Sequence, residues 1–287
     1  MSALQTGFLS VLRKIVIADK DLDLQIRDNY LNVYFKGNSL VKLTERMAGK
    51  YAVNINAKFA VKPEIQELCD EITAAEFIKK IPWVKENIIK YGKDSLEIEY
   101  EQLIIRANNF EPKNNSEYFI VDRQYVANDE DDNRFDLTGF YWPRKGRRRG
   151  EQVPLCLMEV KFSRNPDIES IHEQISQYHD FLKKNISAFA EEAQNVFQQK
   201  LALGLINRGE NQVEALRTLR ISPNIENAQF ILIFVDYNPF SKRLDIKKIN
   251  KLPFAKQIKI FYTGFAMWES RLQHGPEFEF RNGGGEA

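Results

Sequence analysis

Cysteine and histidine are scarce in this chain. Its 287 residues include two cysteines and three histidines. Cys69 and Cys156 sit apart in separate apolar segments, so they make neither a disulfide framework nor a zinc cluster, and a reducing, cytoplasmic setting is expected. Charge of one sign is lacking as well: 41 lysines and arginines face 40 aspartates and glutamates, a formal net charge of +1. No global field draws the chain to nucleic acid, so any such contact must use a local patch. No apolar run approaches the roughly 18 residues that a spanning helix needs, and Arg13 and Lys14 interrupt the first one. No membrane partner is expected. Nucleophile elbows and Cys/His pairings are missing, and "YGKDS" lacks the upstream glycine and the hydroxyl residue directly after Lys93 that a phosphate loop requires. There is no internal repeat.

What is present is a clear succession of elements. Residues 4–18 carry Leu4, Phe8, Val11, Leu12 and Ile15 on one helical stripe. "LDLQIR", "YLNVYF", "SLVKL" and "YAVNINAKF" follow as short runs between turn residues, a β-meander with a hairpin signal at Gly37-Asn38. Residues 1–62 read as a small N-terminal unit. The period is helical from Pro63 to Tyr91; Pro63 suits a first turn, and Pro82 divides the stretch into two helices. "SLEIEYEQLIIRANN" (95–109) reads as a further helix. Strands are predicted over 118–126, 134–142 and 153–162, then a helix over 167–200 and strands over 228–237 and 257–266. Residues 63–272 form the main unit, and 273–287 a flexible tail. A three-stranded meander, a crossover helix and a further strand predict an α/β protein with a mixed central sheet flanked by helices.

The chemistry concentrates in "VPLCLMEVKFSRNP", residues 153–166. An apolar run ends in Glu159 and Lys161, two apart and so on one face of a strand. The chain has two other acid-x-Lys triplets, Glu111-Pro112-Lys113 and Asp245-Ile246-Lys247, but neither ends an apolar strand. Taken alone, Glu159-x-Lys161 reads more simply as an exposed ion pair of little energetic value. The preceding strand, however, carries Asp136 between Phe135 and Leu137. If the two strands pair antiparallel, Asp136 and Glu159 share a face, and two adjoining carboxylates call for a cation. Hard oxygen ligands suit Mg²⁺, with the Val160 carbonyl as a further donor and Lys161 beside the metal-bound water. On the next helix Gln174 and Tyr178, four apart, share a face.

Asp136, the Glu159-x-Lys161 triplet and Gln174-x-x-x-Tyr178 together resemble the PD-(D/E)XK nuclease superfamily, and the glutamine–tyrosine pair is similar to that of its RecB-type branch. The family core of helix, three-stranded meander, helix and strand matches the order over residues 95–236, roughly the central half of the chain. Phe135 stands where the motif name has proline. The resemblance implies a restriction-endonuclease-like fold. It implies Mg²⁺-dependent hydrolysis of DNA phosphodiester bonds, with Mn²⁺ able to substitute, in restriction, repair or defence. Asp136, Glu159 and the Val160 carbonyl would hold the metal. Lys161 would act on the water or the transition state, and Gln174 and Tyr178 would position substrate. Family members add a glutamate from the helix before the first strand; Glu101 is the first choice here and Glu97 the second. Arg147 and Arg148, in the basic loop "PRKGRRRGEQ", are candidates for phosphate contact, against the alternative of a solvated hairpin tip. A homodimer is the simplest way to cut both strands of a duplex. Two alternatives stay open: a nuclease-like module that binds nucleic acid without cutting it, and a protein-interaction module.

Overall fold

The computed structural model describes residues 2–27, 29–93, 95–128, 131–145, 147, 152–163 and 165–265. Arg148 and the expected tail at 273–287 lie outside these residues. The chain opens with α1 (Ser2–Gln5) and α2 (Ser10–Ala18), followed by β1 (Leu22–Ile26), β2 (Tyr30–Phe35), β3 (Asn38–Met47), β4 (Lys50–Asn54) and β5 (Glu67–Leu68). The five strands form one antiparallel meander in sequence order. The turn between β2 and β3 is Lys36-Gly37, with φ of 46° and 72°, one residue before the expected position. Left-handed backbone at both positions matches the twist of a two-residue hairpin. A Cβ on Gly37 would lie 2.2 Å from the Ile98 side chain, so glycine also permits close approach of the next helical region.

The cut expected at residue 62 falls between β4 and β5 of this single sheet. The helix α3 (Glu71–Tyr91) belongs to it as well, since Phe77, Ile81, Val84 and Ile88 join the same apolar core. α3 starts at Asp70 rather than Pro63. Asp70 accepts from the Thr73 amide while the Thr73 hydroxyl accepts from the Asp70 amide, a reciprocal cap that satisfies two orphan donors. The helix also runs unbroken through Pro82. Pro82 lies on the exposed side, and the apolar stripe on the opposite side holds the two halves in line despite the lost hydrogen bond.

The second core is built from α4 (Leu96–Ile105), β6 (Tyr118–Asn128), β7 (Asp131–Tyr141), β8 (Gln152–Val153), β9 (Leu155–Phe162), α5 (Ile171–Ala202), α6 (Glu210–Thr218), β10 (Arg220–Ile221), β11 (Gln229–Val235), α7 (Ile246–Asn250) and β12 (Ile258–Thr263). The central sheet has the order β12-β11-β9-β7-β6. Its β6–β7–β9 half is antiparallel, and its β9–β11–β12 half is parallel. A crossover from β9 to a parallel β11 requires an intervening helical segment, and α5 with α6 supplies it. α5 covers one face, against Phe135, Phe140, Leu157 and Phe230. α4 covers the other, against Ile120, Leu137, Met158 and Ile231. The chain is thus a mixed α/β protein with a helix-flanked central sheet, as expected. Among the described residues no helix is long and apolar enough to cross a membrane.

Candidate active site

β7 and β9 pair from Phe140–Leu155 to Leu137–Met158. The pairing ends there, one position short of Asp136 and Glu159. There the ladder gives way to side-chain chemistry: the Val160 amide donates to Asp136 Oδ2 at 2.9 Å. The N–H and C=O of one strand residue face the same neighbour, so the Val160 carbonyl is also directed to the Asp136 side. β9 stops at Phe162, and Ser163 turns away with a φ of 51°. The carboxylates therefore stand where two paired strands part.

Glu159 is 2% exposed. Its Oε1 accepts from Lys161 Nζ at 2.5 Å, and its Oε2 accepts from the Tyr178 hydroxyl of α5. That hydroxyl lies 2.9 Å from the Arg134 carbonyl and accepts from Gln174 Nε2 at 3.0 Å. A phenol has one proton, and the charged acceptor competes best for it. Burial, then Glu159, raises the Tyr178 pKa, which keeps it a donor. Tyr178 is itself buried, so its hydroxyl serves Glu159 rather than reaching outward for substrate; Gln174 in turn orients Tyr178.

The charge states are set by the neighbours. Burial works against the Lys161 ammonium, but Glu159, Asp136 and Glu97 outweigh it and raise its pKa. Lys161 is therefore a cation here, suited to stabilising charge and orienting a water rather than removing a proton. The Asp136 carboxyl is pushed well above its usual range, first by burial and then by Glu159 and Glu101; the Val160 amide and Lys161 oppose this.

Both helical candidates reach the cluster, because Glu97 and Glu101 are one turn apart on α4. Glu101 Oε2 accepts from Arg123 Nη2 at 3.0 Å and Gln124 Nε2 at 3.2 Å. Burial raises the Glu101 pKa, with Arg123 and Gln124 opposing. Glu97 accepts from the Phe162 amide at 3.2 Å and Asn165 Nδ2 at 3.0 Å, closing the end of β9. The turn that follows α4, Arg106–Phe110, is tied to β6 by Asn109, which exchanges bonds of 2.7 and 3.0 Å with the Ile120 backbone. That clamp sets the depth at which both glutamates lie.

Among the described residues, the buried cations paired with this group of four acids are Lys161, on Glu159, and Arg123, on Glu101; a surplus of carboxylates is what a divalent cation would cancel. Among the described residues no three His, Cys, Asp or Glu side chains converge in a metal-holding group. The donor set fits a hard cation that keeps most of its waters and takes one or two carboxylates, namely Asp136 with Glu159 and the Val160 carbonyl. It does not fit a cage of three His, Cys, Asp or Glu side chains.

Arg147 is not brought to this cluster. Its guanidinium stacks on Trp142 at 4.5 Å and donates to Asn115 Oδ1, the Ser116 carbonyl and the Trp142 carbonyl at 3.0, 2.9 and 3.2 Å. Trp142 follows Asp136 by six strand positions, about 20 Å at roughly 3.4 Å per residue. Arg147 fastens the end of the sheet. Sequence reasoning overlooked Arg123, although an arginine inside the apolar run "YFIVDRQYV" was a signal that something buried needed a cation. It also overlooked Arg134, exposed beside Asp136 and close enough to lower the Glu101 pKa. No family model, no curated protein and no solved structure matches the chain.

Proposed function

We propose that this protein is a metal-dependent nuclease with a restriction-endonuclease-like core of the PD-(D/E)XK type, hydrolysing phosphodiester bonds in DNA. One observation carries the reading: Asp136, Glu159 and Lys161 meet where β7 and β9 part, with the Val160 amide on Asp136 and Tyr178 on Glu159. Buried charge placed where the strand pairing ends supports this reading over that of a purely structural sheet end. Bound Mg²⁺ would supply Lewis acidity and a water of lowered pKa. Asp136 and Glu159 would hold it, with Glu101 or Glu97 bonding to its waters. Lys161 stays protonated and offsets negative charge growing on the phosphate. Tyr178 and Gln174 hold Glu159 in one rotamer, and Arg134 is an exposed cation close enough to act on Glu101 and so available to a phosphate. No pairing between copies of the chain is part of this reading.

A second reading, DNA binding without cleavage, draws on a different fact. Both Glu159 oxygens are already engaged, so a cation would have to displace Lys161 or Tyr178 or share an oxygen with one of them. Cleavage of plasmid and single-stranded DNA with Mg²⁺, Mn²⁺ or EDTA separates the two. Metal-dependent cutting that is lost in Glu159→Gln and Asp136→Asn, with both variants folded, supports the nuclease. Salt-sensitive binding with no cutting under any metal supports the binder. Neither cutting nor binding overturns both.

A further inference from the structure

Arg123 is fully buried, at 0% exposure, in the seam between the two cores. Its Nη2 donates to Glu101 Oε2 at 3.0 Å and lies 3.3 Å from the Ile98 carbonyl, both on α4. The other side of the same guanidinium faces the N-terminal sheet. Nη1 lies 3.8 Å from Asp23 Oδ2 of β1, and the guanidinium plane sits 4.7 Å over the Tyr34 ring of β2. Arg27, just past β1, donates to the Arg123 carbonyl at 2.7 Å and pairs with Asp122. Asp23 is held in turn by Gln25 Nε2 at 2.8 and 2.7 Å. The N-terminal sheet thus grips Arg123 by charge, ring face and backbone, and Arg123 grips the acidic helix of the candidate site.

We infer that Arg123 is a positioning residue for Glu101, and that through it the N-terminal sheet is a working part of the active site rather than an appendage. The inference rests on the nuclease reading above. Glu101 is buried, and a buried carboxylate needs a hydrogen-bonding partner. Arg123 holds it in place through the bond from Nη2 to Oε2. A guanidinium spans both carboxylates and stacks on Tyr34 in one rigid plane; a lysine ammonium, a point charge, cannot serve all three. Residues that orient the groups around a metal typically change affinity or activity by about 10–100-fold when altered.

The test uses the full chain with three substitutions. Arg123→Lys keeps the charge and loses the fork. Asp23→Asn loosens Arg123 from the N-terminal side and is the milder change should Arg123→Lys fail to fold. Leu24→Ala lies in the same strand but points into the apolar N-terminal core, and serves as a control of comparable destabilisation. The readouts are Mn²⁺ affinity by electron paramagnetic resonance, the Mg²⁺ concentration for half-maximal DNA cleavage, and the melting temperature. The expected result is a rise of about 10–100-fold in both metal constants for Arg123→Lys and a smaller rise for Asp23→Asn. Leu24→Ala lowers the melting temperature and leaves the metal constants at wild type. If Leu24→Ala shifts them as much as the other two at equal loss of stability, or if Asp23→Asn and Arg123→Lys keep wild-type metal constants, the inference is overturned and the nuclease reading stands. If wild type neither binds Mn²⁺ nor cuts, the nuclease reading itself has failed, and the inference falls with it.

Discussion

Tyr178 of α5 and Glu159 of β9 are joined side chain to side chain across the core, the phenol donating to one carboxylate oxygen while Lys161 donates to the other. The Tyr178 ring is anchored independently, 4.6 Å from Phe135 in an edge-to-face contact. Tyr178→Phe therefore removes the bond and keeps the packing. We expect a loss of about 1–3 kcal/mol in urea unfolding, because a buried acceptor is stranded. On the proposed nuclease reading, about 10–100-fold weaker Mn²⁺ binding is also expected. Wild-type metal affinity in Tyr178→Phe would reduce the tyrosine to a space filler.

Lys161→Met tests the cation beside Glu159. The side chain is 7% exposed, and methionine retains most of its volume. Loss of one preorganised donor to developing charge lowers rates by roughly 10²–10³-fold. On the proposed nuclease reading, single-turnover cleavage should fall by that order, while Mn²⁺ affinity holds or rises because a competing cation has left. A variant that cuts at the wild-type rate would remove Lys161 from the chemistry.

Lys200, in α5, offers a pH test away from the site. It is fully buried, donates to Gln25 Oε1 at 2.6 Å, and has a pKa lowered from 10.5 by burial, with Asp23 and Asp122 opposing. Between its folded pKa and 10.5 the unfolded chain binds the proton better, so stability rises with pH through that window. Below the window the charged form is present in both states and its burial weighs against folding. The stability difference between wild type and Lys200→Met should therefore move in favour of wild type as pH climbs toward 10.5. A difference that stays flat with pH contradicts the burial argument.

Arg147→Ala should weaken the fold and leave nucleic-acid binding alone. Its donors serve the carbonyls of Ser116 and Trp142. We expect a lower melting temperature with no change in the slope of log affinity against log salt. A slope reduced by about one unit would mean that Arg147 contacts a phosphate after all.

Pro82→Ala restores a helix amide at an exposed position within α3. An interior proline costs about 3 kcal/mol relative to alanine, and part of that is returned by the freer unfolded chain. A gain of roughly 1–3 kcal/mol in urea unfolding is expected. A loss would point to a role for the proline that the helix geometry does not display.

Local pattern was enough for the order of elements and for the pair Asp136 and Glu159. Strand alternation places Glu159 and Lys161 together, and an antiparallel neighbour with Asp136 in its middle has few registers that bury both apolar faces. Helix spacing likewise places Glu97 with Glu101, and Gln174 with Tyr178. Local pattern misled at Pro63 and Pro82, where cap chemistry at Asp70 and the apolar stripe Phe77–Ile88 outweighed proline's intrinsic preference. It misled at Arg147 because a run of arginines carries no information on whether carbonyls or phosphates receive them.

The sequence by itself determined the alternation of strands and helices and which polar residues share a face, Glu159 with Lys161 and Gln174 with Tyr178, because these follow from side-chain periodicity. Tertiary structure alone decided the partners. Arg123 lies 100 positions after Asp23 and 22 after Glu101, yet one buried guanidinium meets both. A charge can be buried only where opposite charges converge from other elements, and that convergence is a property of the folded packing, which no local window of sequence contains.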